Sequence, residues 1–193
     1  KVINMLSSIS GEGKSFVLLN LAMSLALLDK KVLIIELDIR RPRLAKELNL
    51  DNKQGITLFL SGHLDKDELV SPSGVHSNLS IITAGAIPPN PNELLAKPLL
   101  DELVNNLRSE YDYILIDTPP VGLVSDGFLL NRLTDVNLYI TRAGYTPKKM
   151  VEEADHYFRE NRLKKMYFIL NYTDLNGVEY RYGLRKKYGY GYA

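Results

Sequence analysis

Six short, nearly uninterrupted apolar runs alternate with helical patterns along the 193 residues, and this alternation limits the fold more than any other feature. Val2–Ser7, Val32–Leu37, Leu79–Thr83, Tyr113–Asp117, Val136–Thr141 and Tyr167–Asn171 hold five or six residues each, rich in Val, Ile, Leu and Tyr. Runs of that length without polar alternation suit parallel strands covered on both faces. Helices are predicted over Lys14–Leu28, Glu93–Arg108, Ser125–Leu133 and Pro147–Arg162. Pro147 suits a first helical turn, and Pro98 is set to kink or delay the second helix. The expected fold is α/β: a mostly parallel central sheet with helices on both faces. The longest apolar stretch, Phe16 to Leu28, has 13 residues and is broken by Asn20 and Ser24. It is too short to span a bilayer and reads as a buried helix.

Composition removes several function classes. With 45% hydrophobic residues, 24% charged residues and a net charge of +1, disorder and a strongly basic nucleic-acid binder are disfavoured. The chain has no cysteine, which excludes disulfides, thiolate catalysis and a cysteine-ligated zinc site. Its three histidines (His63, His76, His156) are too scattered for a helical metal pair. The chain begins at Lys1 and enters a strand at once, so it reads as a piece of something longer.

Three strand ends carry chemistry. After the first strand comes Ser10-Gly11-Glu12-Gly13-Lys14-Ser15 and then a helix. The pattern GxxxxGK[ST] is met except at its first glycine, where Ser8 stands. Gly11 and Gly13 let backbone N–H groups turn inward around phosphates, and the helix N-terminus adds its positive end. Lys14 would reach the β- and γ-phosphates of a nucleotide, and the Ser15 hydroxyl would ligate magnesium. The candidate nucleotide-binding segment thus runs through Gly11, Glu12, Gly13, Lys14, Ser15 and Phe16. The second strand end holds Glu36 and Asp38, two apart and therefore on one side of an extended chain. One acid could act on the magnesium shell while the other takes a proton. The third, Tyr113-Ile114-Leu115-Ile116-Asp117-Thr118-Pro119-Pro120, is a Walker B arrangement with Asp117 at the strand tip.

The chain resembles the cytoplasmic catalytic domain of the bacterial tyrosine kinases, which sit among the MinD/ParA-type P-loop ATPases. SSISGEGKSFVLLNLAMSLAL is similar to the family's Walker A segment and helix, VLIIELDIRRP to its A′ motif, and YDYILIDTPPVGLVSD to its Walker B. ITAGAIPPNPNELLAKPLLDELV and the tyrosine-clustered end resemble the family too. The resemblance implies ATP and Mg2+ as cofactors, nucleotide and magnesium roles for Lys14 and Ser15, and a metal sphere with Asp38 and Asp117. It makes Glu36 the acid nearest the attacking tyrosine, at a position where the family usually has aspartate. Related folds place an adenine-reading amide where Asn171 stands, and a strand-end turn former is the other reading of that residue. The signature lysine of the partitioning ATPases is absent, with Ile9 at its position. The alternative to a kinase is a nucleotide-switch ATPase of the MinD/ParA type.

Residues 1–176 are expected to form the catalytic domain and 177–193 a flexible tail. GVEYRYGLRKKYGYGYA holds five of the chain's twelve tyrosines, with four glycines and four basic residues. By the resemblance Tyr180, Tyr182, Tyr188, Tyr190 and Tyr192 are phosphoacceptors, used by a neighbouring subunit in a homo-oligomeric ring. A tail of that length spans at most ~60 Å. Reach alone therefore does not decide between its own site and a neighbour's. The resemblance further implies a transmembrane polysaccharide co-polymerase or activator domain as partner, and a phosphotyrosine phosphatase. It places the chain at the cytoplasmic side of a bacterial membrane, regulating capsular or exopolysaccharide synthesis and export.

Overall fold

The computed structural model describes residues 1–163 and 165–173. A seven-stranded sheet runs in the order β3-β4-β2-β5-β1-β6-β7. Its strands are β1 (Val2–Ser7), β2 (Val32–Glu36), β3 (Ser71–Pro72), β4 (Leu79–Ile82), β5 (Tyr113–Asp117), β6 (Val136–Arg142) and β7 (Met166–Asn171). Every pairing is parallel except the short β3, which runs antiparallel to β4 at one edge. The helices are α1 (Lys14–Leu27), α2 (Leu44–Glu47), α3 (Ile56–Leu60), α4 (Pro91–Leu95), α5 (Pro98–Leu107), α6 (Asp126–Leu129) and α7 (Lys148–Arg159).

The buried strands explain the unbroken apolar runs. All five residues of β2 are buried, and they alternate between two cores. Leu33 and Ile35 pack with Leu103, Leu107 and Ile116 on the α5 side. Val32 and Ile34 pack with Leu18, Ala22 and Ala26 of α1 on the other. Leu18, Ala22 and Ala26 are four apart and form the buried centre of the face that α1 turns to the sheet, flanked by half-buried Val17, Leu21 and Leu25, and the two alanines allow close approach.

Several expected boundaries shift for local reasons. The single helix expected over Glu93–Arg108 is two, α4 and α5. Lys97 between them is extended (φ −64°, ψ 136°), because a proline disfavours the helical region for the residue before it. The helix expected over Ser125–Leu133 is α6 followed by a 3-10 turn, Leu130–Leu133. Pro147 caps α7 from outside rather than sitting in its first turn. Within the aperiodic stretch 49–78, Ile56 and Leu60 bury the face of α3. The expected tail, 177–193, lies outside the described residues, and so does the proposed domain boundary at 176.

Candidate functional site

All the inner strands are parallel, so the C-terminal ends of β1, β2 and β5 open on one side of the sheet, the position of ligand crevices in such folds. Between β1 and α1 the chain turns through Gly11 (φ 89°) and Gly13 (φ 90°), in the left-handed region that glycine enters at no steric cost. The first intrahelical bond of α1 runs from the Val17 N–H to the Gly13 carbonyl at 2.9 Å. The preceding N–H groups therefore have no helical partner, and the first turn carries no acidic side chain. Such a helix start is suited to an anion.

A cavity of about 570 Å3 opens in front of this turn. Residues 11–16, and with them Gly11, Glu12, Gly13, Lys14, Ser15 and Phe16, form one wall. Asp38 and the arginines at 40, 41 and 43 face it, and the loop after β5 closes the third side through Pro119, Leu123 and their neighbours. Lys14 pairs with Asp117 at the tip of β5, their side chains only 9% and 5% exposed. The cation that would meet phosphate and a carboxylate that would meet magnesium thus neutralise one another. Burial pushes the Asp38 carboxyl up from its ordinary range, against the downward pull of the Arg41 N–H bonded to it at 3.1 Å and of nearby Lys14.

Glu36 does not join Asp38. Strand β2 ends at Glu36, and the two side chains part where the chain leaves the sheet. Glu36 is wholly buried. One of its oxygens accepts from the N–H groups of Arg43 (2.6 Å) and Leu44 (2.7 Å), and the other from the Ala84 N–H (3.2 Å). Burial pushes its carboxyl up, and these three bonds and the Asp117 charge act on it less strongly. The expectation that both acids point into one crevice is corrected. Glu36 ties α2 and the end of β4 to β2 and does not line the cavity.

Other sequence candidates find structural partners. Ser8, where a glycine is usual, hydrogen-bonds the hydroxyl of buried Tyr139 at 3.0 Å, and burial pushes that phenol up to about 12. Beside the cavity Arg40 forks onto Asp126, in the first turn of α6, at 2.8 and 3.3 Å and onto Asn92 at 2.6 Å. Asn171 donates from Nδ2 to the Glu12 carbonyl at 3.0 Å, behind the glycine turn. The sequence reading passed over Arg142, Tyr145 and Thr146, which also touch that turn. Their position at the C-terminal end of a strand flanking β1 was the available signal. Tyr180, Tyr182, Tyr188, Tyr190 and Tyr192 lie outside the described residues.

A parallel sheet, a glycine turn running into a helix, and a lysine, a serine and two carboxylates beside one cavity define a nucleotide-binding P-loop domain. The AAA domain family profile matches residues 1–140. The tyrosine-protein kinase ptk of Acinetobacter johnsonii is 40% identical over 172 residues, covering 87% of this chain and 23% of that protein. The tyrosine-protein kinase CpsD of Streptococcus agalactiae serotype III is 32% identical over 172 residues, covering 89% of this chain and 74% of that protein. The kinase domain of the Escherichia coli tyrosine kinase ETK superposes with a TM-score of 0.85 at 28% identity, covering 99% of this chain and 72% of that one. The chain belongs to the AAA domain family and, within it, to the bacterial tyrosine-protein kinases.

Proposed function

We propose that the chain is the catalytic domain of an ATP-dependent protein-tyrosine kinase that autophosphorylates Tyr180, Tyr182, Tyr188, Tyr190 and Tyr192 in trans. The observation that carries the reading is the cavity itself. Its floor gathers Lys14, Ser15 and Asp38, with Asp117 held to Lys14, and its rim carries Phe16 and Leu123, 65% and 62% exposed. Two apolar side chains at the mouth of a charged site suit an aromatic acceptor better than water alone.

The chemistry follows from the placement. The tyrosine oxygen forms a bond to the γ-phosphorus, the bond to the β,γ-bridging oxygen breaks, and ADP leaves. Backbone N–H groups of the glycine turn hold the phosphates, and Lys14 moves from Asp117 onto their oxygens. The Asp38 carboxylate accepts the hydroxyl proton, and burial has already made it more basic than an ordinary aspartate. Among the described residues no group of three or more His, Asp or Glu could hold a metal alone. The donors that fit magnesium are the Ser15 hydroxyl and Asp117, with the nucleotide supplying the rest as this ion prefers, which leaves Asp38 to take the proton. Bound there, it would neutralise charge on the β- and γ-phosphate oxygens.

Each tail phosphate would add about −1.5 to −2 charge beside Arg181, Arg185, Lys186 and Lys187, which gives assembly a switch. On the family likeness we place the domain at the cytoplasmic face of a bacterial membrane. It would form a homo-oligomeric ring, partnered by a transmembrane polysaccharide co-polymerase and reset by a phosphotyrosine phosphatase. Its output would be control of capsular or exopolysaccharide export. No helix among the described residues is long and apolar enough to cross a membrane. The test mixes two chains, one with all five tail tyrosines changed to Phe and one carrying Lys14→Met with its tail intact. Phosphotyrosine on the Lys14→Met chain supports transfer in trans. None there, with the unaltered chain phosphorylating itself, contradicts it.

A further inference from the structure

Three consecutive carbonyls of the glycine turn are each held by a side chain from the β6–β7 side of the sheet. The Tyr145 hydroxyl donates to the Ser10 carbonyl at 2.9 Å. Arg142 Nη1 donates to the Gly11 carbonyl at 2.9 Å, and Asn171 Nδ2 to the Glu12 carbonyl at 3.0 Å. A fourth contact fixes the loop from within. The buried Glu12 carboxylate accepts from the Ile9 N–H at 2.9 Å and from the Thr146 hydroxyl at 2.5 Å.

The donors are themselves oriented. The Asn171 carbonyl oxygen accepts from the Tyr172 N–H at 2.8 Å, which turns the amide nitrogen toward Glu12. The Arg142 guanidinium lies 4.9 Å from the Tyr145 ring centre and 4.3 Å from that of Tyr172. Thr146 also accepts from the Arg142 N–H at 2.8 Å. Close approach is part of the arrangement. A Cβ on Gly11 would lie 2.9 Å from the Tyr145 hydroxyl, and one on Gly13 2.2 Å from Asn171 Nδ2. The two glycines are thus required by their neighbours as well as by their backbone angles.

From this geometry we infer that Arg142, Tyr145 and Asn171 are positioning residues that hold the phosphate loop in its receiving conformation. A loop that binds anions through its N–H groups must turn its carbonyls the other way. Three donors on the outer side do that before any ligand arrives, so the N–H groups need not reorganise on binding. Arg142 is accordingly a brace on the loop's back. The inference rests on the nucleotide reading of the cavity.

The test is titration calorimetry of the full chain with ADP and magnesium, which reads affinity and the binding-competent fraction separately. Replacing one donor without filling its place costs about three- to tenfold in a process that depends on it. Tyr145→Phe is expected to raise the Kd for ADP about fivefold and Tyr145→Phe/Arg142→Met by more than tenfold. The competent fraction should stay unchanged, and Arg142→Lys, which retains a donor, should recover part of the loss. A purely structural role would lower the melting temperature and the competent fraction while leaving the Kd alone, and that result overturns the inference. So does a double variant with unaltered Kd beside an unaltered chain that binds ADP. If the unaltered chain takes up no ADP, the nucleotide reading fails and the brace falls with it.

Discussion

The two walls beside the glycine turn are built differently. On the β6–β7 side the loop is fastened through Ser10, Gly11 and Glu12 by side chains whose own orientation is fixed. On the β2–β5 side it faces a cavity of about 570 Å3, where Lys14 on the wall pairs with buried Asp117. Backbone bonds from Val121 and Gly122 to the carbonyls of Ser7 and Ser8 join that side only at the loop's base. One wall sets the shape of the phosphate site, and the other supplies the charges that must change partners during a reaction. Rigidity and chemistry are divided between them.

The largest expected effect comes from breaking the charge pair on the open side. Lys14→Met should reduce phosphate transfer to background. It also leaves Asp117 buried without its partner, at a cost of about 3 kcal/mol measured by urea unfolding. Lys14→Met/Asp117→Asn should regain most of that stability and none of the transfer. Equal unfolding midpoints for the single variant and the unaltered chain would show that the pair is not as buried as described.

Glu36 comes next, because it separates support from chemistry. Glu36→Ala strands the Leu44 and Ala84 N–H groups in the interior and that of Arg43 at its edge, and should destabilise the fold by about 3 kcal/mol. Activity should follow the folded fraction. If Glu36→Gln instead abolished transfer with an unchanged unfolding curve, the acid would have to act at the reacting atoms.

Asp38→Asn acts in the opposite sense, sparing the fold while transfer falls about a hundredfold or more. The carboxyl's pKa is raised by burial, so the folded state binds its proton more tightly than the unfolded chain does. Ionised Asp38 therefore opposes folding above the ordinary aspartate range. Its replacement by Asn should stabilise the protein at neutral pH, with the gain fading as pH falls from the raised pKa of the folded state toward the ordinary aspartate value. The acid limb of transfer in the unaltered protein should likewise lie above an ordinary aspartate pKa. The smallest effect is expected at the rim, where Leu123→Ser should raise the KM for a tyrosine peptide about threefold and leave that for ATP unchanged.

Much of this arrangement was legible in the sequence, for a physical reason. Strands buried on both faces leave unbroken apolar runs, and a parallel sheet aligns their C-terminal ends, so Lys14, Asp38 and Asp117 could be assigned to one side. Side-chain direction at a strand's end could not be read. The two-residue spacing of Glu36 and Asp38 implies a common face only while the chain stays extended, and it leaves the sheet after Glu36. The brace was hidden for a related reason. Arg142, Tyr145 and Thr146 meet the loop across more than 130 positions of sequence, and no local periodicity records such a contact. Asn171 was singled out as an amide at a strand end, but which backbone it serves depended on the neighbouring loop.

Whether this site phosphorylates tyrosine is read from intact-mass spectrometry after incubation with magnesium ATP, beside a Lys14→Met control. Mass increments of whole phosphate groups are expected, mapping to the tyrosines between 180 and 192 and vanishing in the control. Unchanged mass with steady release of inorganic phosphate would contradict tyrosine phosphorylation and make the domain a nucleotide-switch ATPase.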